Sequence, residues 1–207
     1  MDQKYKDSLI HSVKIDELDN NFDEWWERSE ICSRRILTAI CFREQSNRVF
    51  ALTESRIFPN IGYYYALFHI SVAILAIDYS TELKNLIRIP HKNLINLIKD
   101  KLVKRLLIPI DYLELLWELK GLREDTSYSF KTNFKTEIYY REVGKLFNVA
   151  FSFVKEVSNV IENRFPLLSR ICTDIGDGFG DDVLQAFLSD EDQDRVWKYL
   201  IEKKLTN

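Results

Sequence analysis

Between Pro59 and Asp78 the chain is apolar on almost every face that a helix would present. Pro59 stands where a first-turn proline belongs, because the N–H it lacks would have no acceptor there. A helix that is apolar all round needs neighbours on several sides, so it belongs at the centre of a bundle. Only 6 Gly and 4 Pro occur in 207 residues. That scarcity favours long helices over a turn-rich sandwich or barrel. The longest apolar stretch, Ile70 to Ile77, is interrupted by Ser71, is ended by Asp78 and falls short of the roughly 20 residues of a bilayer span. The N-terminal residues carry no apolar signal-peptide core. The expectation is a soluble, cytoplasmic chain with no membrane partner.

Helical periodicity continues on both sides of this segment. From Asn21, the residues Phe22, Trp25, Trp26, Cys32, Ile36, Ile40 and Cys41 recur at three- and four-residue spacing. Trp25 and Trp26 point about 100° apart on a helix, so one of them can be exposed. Residues 44–56 are mixed and polar, and no element is assigned to them. Pro90 opens a third helix with a stripe of Leu94, Ile95, Ile98, Leu102, Val103 and Leu106. Pro109 starts a fourth, with Leu113, Leu116, Trp117, Leu119 and Leu122 facing in. A polar loop over 125–135 precedes a fifth helix from about Thr136 to Phe165. Its stripe is Val143, Leu146, Ala150, Val154, Val157 and Ile161, and Pro166 ends it. The predicted fold class is all-α: a four- to five-helix bundle over 21–165, with a small C-terminal helical extension over 166–207 that can share its folding unit.

The charges are local. Lys and Arg total 29 against 32 acids, a net charge of −3, so no overall positive field attracts nucleic acid. Residues 84–105 nevertheless hold seven cations and one acid. Lys92, Lys99 and Lys104, with Arg105 beside them, are the candidate nucleic-acid-binding residues. The alternative is a solvated helix face. Residues 174–194 hold eight acids and no cation. Their spacing does not make a calcium loop, and no strand precedes Gly176, Gly178 and Gly180 to make a phosphate loop. The segment reads as an acidic connector. Cys32, Cys41 and Cys172 have no paired spacing and read as free thiols. No metal site and no cofactor is expected.

Three segments carry a resemblance. Tyr63-Tyr64-Tyr65-Ala66-Leu67-Phe68-His69 resembles the Tyr-Tyr-Ala-x-Phe-His signature of HEPN domains, the "higher eukaryotes and prokaryotes nucleotide-binding" superfamily. The helix beginning at His91 resembles the one that follows in many bacterial members. Leu119-Lys120-Gly121-Leu122-Arg123 resembles the family's Leu-x-x-Leu-Arg segment. The resemblance spans 57–162 and implies a HEPN-like bundle and a homodimer. It also implies a bacterial toxin–antitoxin or defence-like setting. Many members are metal-independent ribonucleases with an Arg followed after four to six residues by a His. An Arg can hold the scissile phosphate and a His can move the proton.

Here Arg123 is present, but Tyr128, Ser129 and Phe130 stand where the His would fall. A phenol of pKa ~10 is a poor general base at neutral pH. The leading expectation is therefore a HEPN-like protein with a degenerate motif that binds RNA or a protein partner without catalysis. One alternative is a metal-independent ribonuclease using Arg123, with Tyr128 at the His position or another proton carrier. The other is a helical scaffold that makes no nucleic-acid contact. Arg123 itself reads either as a phosphate clamp or as an ion-pair partner of Glu118 or Glu124. His69 reads as a structural histidine, and His91 as a helix-start residue that can reach an anion.

Overall fold

The computed structural model describes residues 22–53, 57–87, 89–128 and 136–161, together with residues 3, 4 and 7. The expectations for Cys172, the acidic segment and the 166–207 extension lie outside these residues. The architecture is all helical, as the spacing predicts. Its elements are α1 (Phe22–Leu52), α2 (Ile57–Ile77), α3 (His91–Leu97), α4 (Ile110–Tyr128) and α5 (Thr136–Ile161).

α1 has no Gly or Pro, and Asp23 and Glu24 in its first turn complement the helix dipole. Its buried stripe is Trp25, Cys32, Ile36, Leu37, Ile40 and Cys41, whereas Trp26 is exposed. The helix continues through 44–52, where the sequence pattern alone assigns no element. Packing rather than an apolar stripe holds this stretch. Ser46 is buried and donates to the Phe42 carbonyl at 2.6 Å, with Gly62 of α2 directly against it. A Cβ on Gly62 would sit 1.9 Å from Ser46 Oγ, so only glycine allows the two helices this approach.

α2 is the central helix. α1, α3, α4 and α5 all pack on it, and it is buried from Tyr63 to Tyr64 and from Ile70 to Ile77. It is long and apolar enough to cross a membrane, and most of it lies inside the bundle. Tyr112 of α4 donates to the Leu67 carbonyl at 3.0 Å and meets Ser71 Oγ at 2.7 Å. The C-terminus of α2 is closed by charged side chains. Buried Arg28 donates to the carbonyls of Ala76 at 2.9 Å and Thr81 at 2.6 Å. The Asp78 carboxylate accepts from Ser80, Thr81 and Arg105. These contacts satisfy carbonyls and a buried carboxylate that would otherwise be left unpaired.

Pro90 caps α3 in extended backbone. α3 then passes into a π-helical segment, Ile98–Val103. The wider turn shifts the register of the expected stripe. Leu94, Ile95, Ile98 and Leu102 stay buried. Leu106, by contrast, is 86% exposed at φ 59° and does not join the core. Trp117 is a second correction: it lies 49% exposed on the outer face of α4, with Lys120 Nζ 5.4 Å from its ring. α5 buries Val143, Leu146, Ala150, Val154 and Val157 as expected, and Tyr139 ties it to Glu118 of α4 at 2.7 Å.

Candidate anion site at the tyrosine–histidine–arginine cluster

The Tyr64–His69 segment lies at the middle of α2. Helical spacing sets Tyr64 over Phe68 and Tyr65 over His69, one turn apart. Three other helices bring partners to these rings. α1 contributes Arg35 and Phe42, the start of α3 contributes His91, and the end of α4 contributes Arg123. Phe42 stacks on Tyr65 at 5.1 Å and on His69 at 5.6 Å. His91 packs on Phe68 at 4.7 Å and on Tyr64 at 5.4 Å.

Arg123 is held over the rings of Tyr64 and Tyr65, 5.7 and 5.6 Å from their centroids. Among the described residues it makes no ion pair and no hydrogen bond. Both carboxylates considered as its partners are engaged elsewhere. Glu118 accepts from Tyr139, and Glu124 accepts from Lys120 at 2.6 Å. The ion-pair reading of Arg123 is thus replaced by a guanidinium that aromatic faces hold in place, with its donors unspent.

Arg35 of α1 joins the cluster at His69. Its Nη1 donates to His69 Nδ1 at 3.0 Å, and among the described residues it has no carboxylate partner. Burial holds the Arg35 guanidinium below its ordinary proton affinity. Burial, with Arg35 and His91 adding to it, pushes His69 down to about 3. His69 is therefore neutral, and it orients Arg35.

His91 has a different environment. Its Nδ1 meets the Tyr64 hydroxyl. Burial raises the Tyr64 phenol and keeps it protonated, while the nearby charge of Arg123 acts in the opposite direction. The phenol oxygen can accept from Nδ1–H, and in that tautomer the Nε2 lone pair is left to take a proton. Burial, Arg123 and Lys120 hold His91 below the usual histidine range, and Glu124 opposes them weakly. A neutral imidazole at pH 7 can accept a proton, and an arriving anion would raise its affinity for one.

The expected site residues divide between this cluster and the basic helix. Arg123 lies in the cluster. Tyr128 closes α4, and its side chain lies outside the described residues. Lys92 and Lys99 are exposed. Lys104 is exposed but pairs with Asp100 at 2.6 Å. Arg105 binds the buried Asp78 carboxylate at 2.9 Å and donates to Ser80, so much of its guanidinium serves the α2 terminus. Sequence reasoning did not assign Arg35, Phe42, Tyr64, Tyr65 or His91 to one site. The sequence signal available for Tyr65 is its four-residue spacing to His69. No group of three or more metal-ligating side chains is present among the described residues.

Compared with family models, with curated proteins and with solved structures, the chain matches none of them.

Proposed function

We propose that this chain is a HEPN-like RNA-binding protein in which Arg123 takes a backbone phosphate without cleaving it. The observation that carries the reading is the unpaired Arg123 guanidinium held over Tyr64 and Tyr65. A planar guanidinium fits a phosphate with two parallel hydrogen bonds. The flanking rings leave it little freedom to lose on binding. Arg35, which has no carboxylate partner among the described residues, supplies a second cation through its bond to His69 of the same cluster. Exposed Lys92 and Lys99 on the neighbouring helix extend the positive surface. The homodimer and the toxin–antitoxin or defence-like setting belong to the same proposal and rest on the resemblance of the Tyr64–His69 and Leu119–Arg123 segments.

A second reading is favoured by His91. An imidazole that is neutral at pH 7 and electrostatically coupled to Arg123 is a proton carrier from another helix. In a metal-independent ribonuclease it would take the 2′-hydroxyl proton as that oxygen attacks the phosphorus held by Arg123. The P–O5′ bond would then break, the 5′-oxygen taking a proton from water, to give a 2′,3′-cyclic phosphate and a free 5′-hydroxyl. RNA cleavage in excess chelator separates the two readings, using wild-type, Arg123→Ala and His91→Ala protein. The binding reading expects intact RNA with all three and weakened retention by Arg123→Ala. Cleavage by wild-type protein that is lost in both variants would establish the ribonuclease instead.

A further inference from the structure

A cleft of about 380 Å³ opens between the second half of α1 and the first turns of α2. Its lining is mainly apolar and includes Phe42, Val49, Phe58 and Ile61, with Gln45 and Arg48 supplying polar groups. The close contact of Gly62 with Ser46 lies at its wall. Two features set it apart from an ordinary surface dent. Phe58 is 68% exposed, an aromatic ring left in water where most of its kind are buried. Phe42 belongs to both the cleft and the anion cluster, since the ring that lines the cleft also stacks on Tyr65 and His69. Tyr65 in turn lies under Arg123. Cleft and guanidinium are thus joined by two consecutive ring contacts of 5.1 and 5.6 Å.

We propose that this cleft receives a nucleobase of the RNA chain whose phosphate Arg123 holds. The proposal rests on the RNA reading above and adds the base-binding subsite to it. The chemistry is that of single-strand recognition: a flat heteroaromatic ring stacks on exposed aromatic side chains while cations hold the backbone beside it. The volume lies within the range of small-ligand sites. The cleft is lined by Phe42 and Phe58 and carries an amide and a guanidinium, which suits a base with polar edges better than an aliphatic ligand. Phe58 provides the exposed stacking face and Phe42 the link to the phosphate end.

The test uses nucleosides, which carry no phosphate. Saturation transfer from the full chain to the base protons of adenosine, guanosine, cytidine and uridine is measured by NMR at millimolar ligand. At least one nucleoside is expected to bind wild-type and Arg123→Ala protein alike, to bind Phe58→Ala about tenfold more weakly, and to recover with Phe58→Trp. Phe58 is exposed, so its loss leaves the core intact, and an unchanged Tm checks this. No transfer from any nucleoside to wild-type protein, or equal transfer with Phe58→Ala, overturns the proposal. The RNA assignment has its own arm. An oligoribonucleotide that binds no more tightly than the nucleoside, and is insensitive to Arg123→Ala, overturns the RNA source and the reading of Arg123. Nucleoside transfer sensitive to Phe58 would then survive as binding of a free nucleoside.

Discussion

His69 and His91 lie in one aromatic cluster, and their surroundings give them different work. His69 accepts from Arg35 and is pushed down to about 3, mainly by burial. Its folded affinity for a proton is below that of the unfolded chain, whose histidines titrate near ~6.5. The unfolded state therefore binds more protons as pH falls below ~6.5, and stability declines through that window until about 3. Between pH 7 and pH 5 this group alone is expected to cost about 2 kcal/mol. His69→Asn keeps an acceptor for Arg35 and has no proton to gain. Denaturant unfolding at the two pH values is expected to show a smaller pH-dependent loss for His69→Asn than for wild type. His91 is less buried and retains the prospect of protonation when an anion arrives. Arg123 is the third member, and that it has no carboxylate partner among the described residues could not be read from the sequence. Glu118 and Glu124 are the carboxylates near it in the chain, five residues before and one after. Their engagement by Tyr139 and Lys120 is a tertiary fact.

At the scale of elements, α2 dictates most of the fold, and its centrality was legible because an all-apolar helix has no solvent face to offer. The second half of α1 was not legible. It is held by tertiary contacts that no local pattern announces: Ser46 against Gly62, Asn47 to the Tyr63 hydroxyl and Phe50 against Tyr140. Gly62→Ala is expected to destabilise the protein by about 2 kcal/mol in chemical unfolding, as overpacking of a closed contact does. Adding Ser46→Ala should recover part of that loss by removing the nearest atom, while the Phe42 carbonyl at 3.2 Å still resists. The helix after Pro90 was legible in its start and its first apolar residues. Its end was not, because the π-helical segment changes the register that the stripe assumes. Leu106 bears the consequence, exposed and in the left-handed region that favours glycine. Leu106→Gly is expected to raise stability by about 1 kcal/mol, read as a higher denaturant midpoint with an unchanged m-value.

Across the whole molecule, the candidate site is assembled from α1, α2, α3 and α4. No single segment contains it. The sequence pointed to the Tyr64–His69 and Leu119–Arg123 segments through resemblance, and it identified the missing histidine after Arg123. It did not reveal that His91 approaches Arg123 from a different helix, because that depends on how the bundle folds back. Nor did it distinguish Arg105, which closes the α2 terminus on Asp78, from Lys92 and Lys99, which stay exposed. On the proposed function Arg123 is the main anion contact and the basic helix an auxiliary surface. This ordering is tested most directly by the affinity of a single-stranded RNA for wild-type and Arg123→Lys protein across a salt series. The account predicts at least a tenfold loss for Arg123→Lys at every salt concentration, because lysine keeps the charge but loses the planar fork held by Tyr64 and Tyr65. Equal affinity for the two proteins, or no RNA binding by wild type even at low salt, would contradict it.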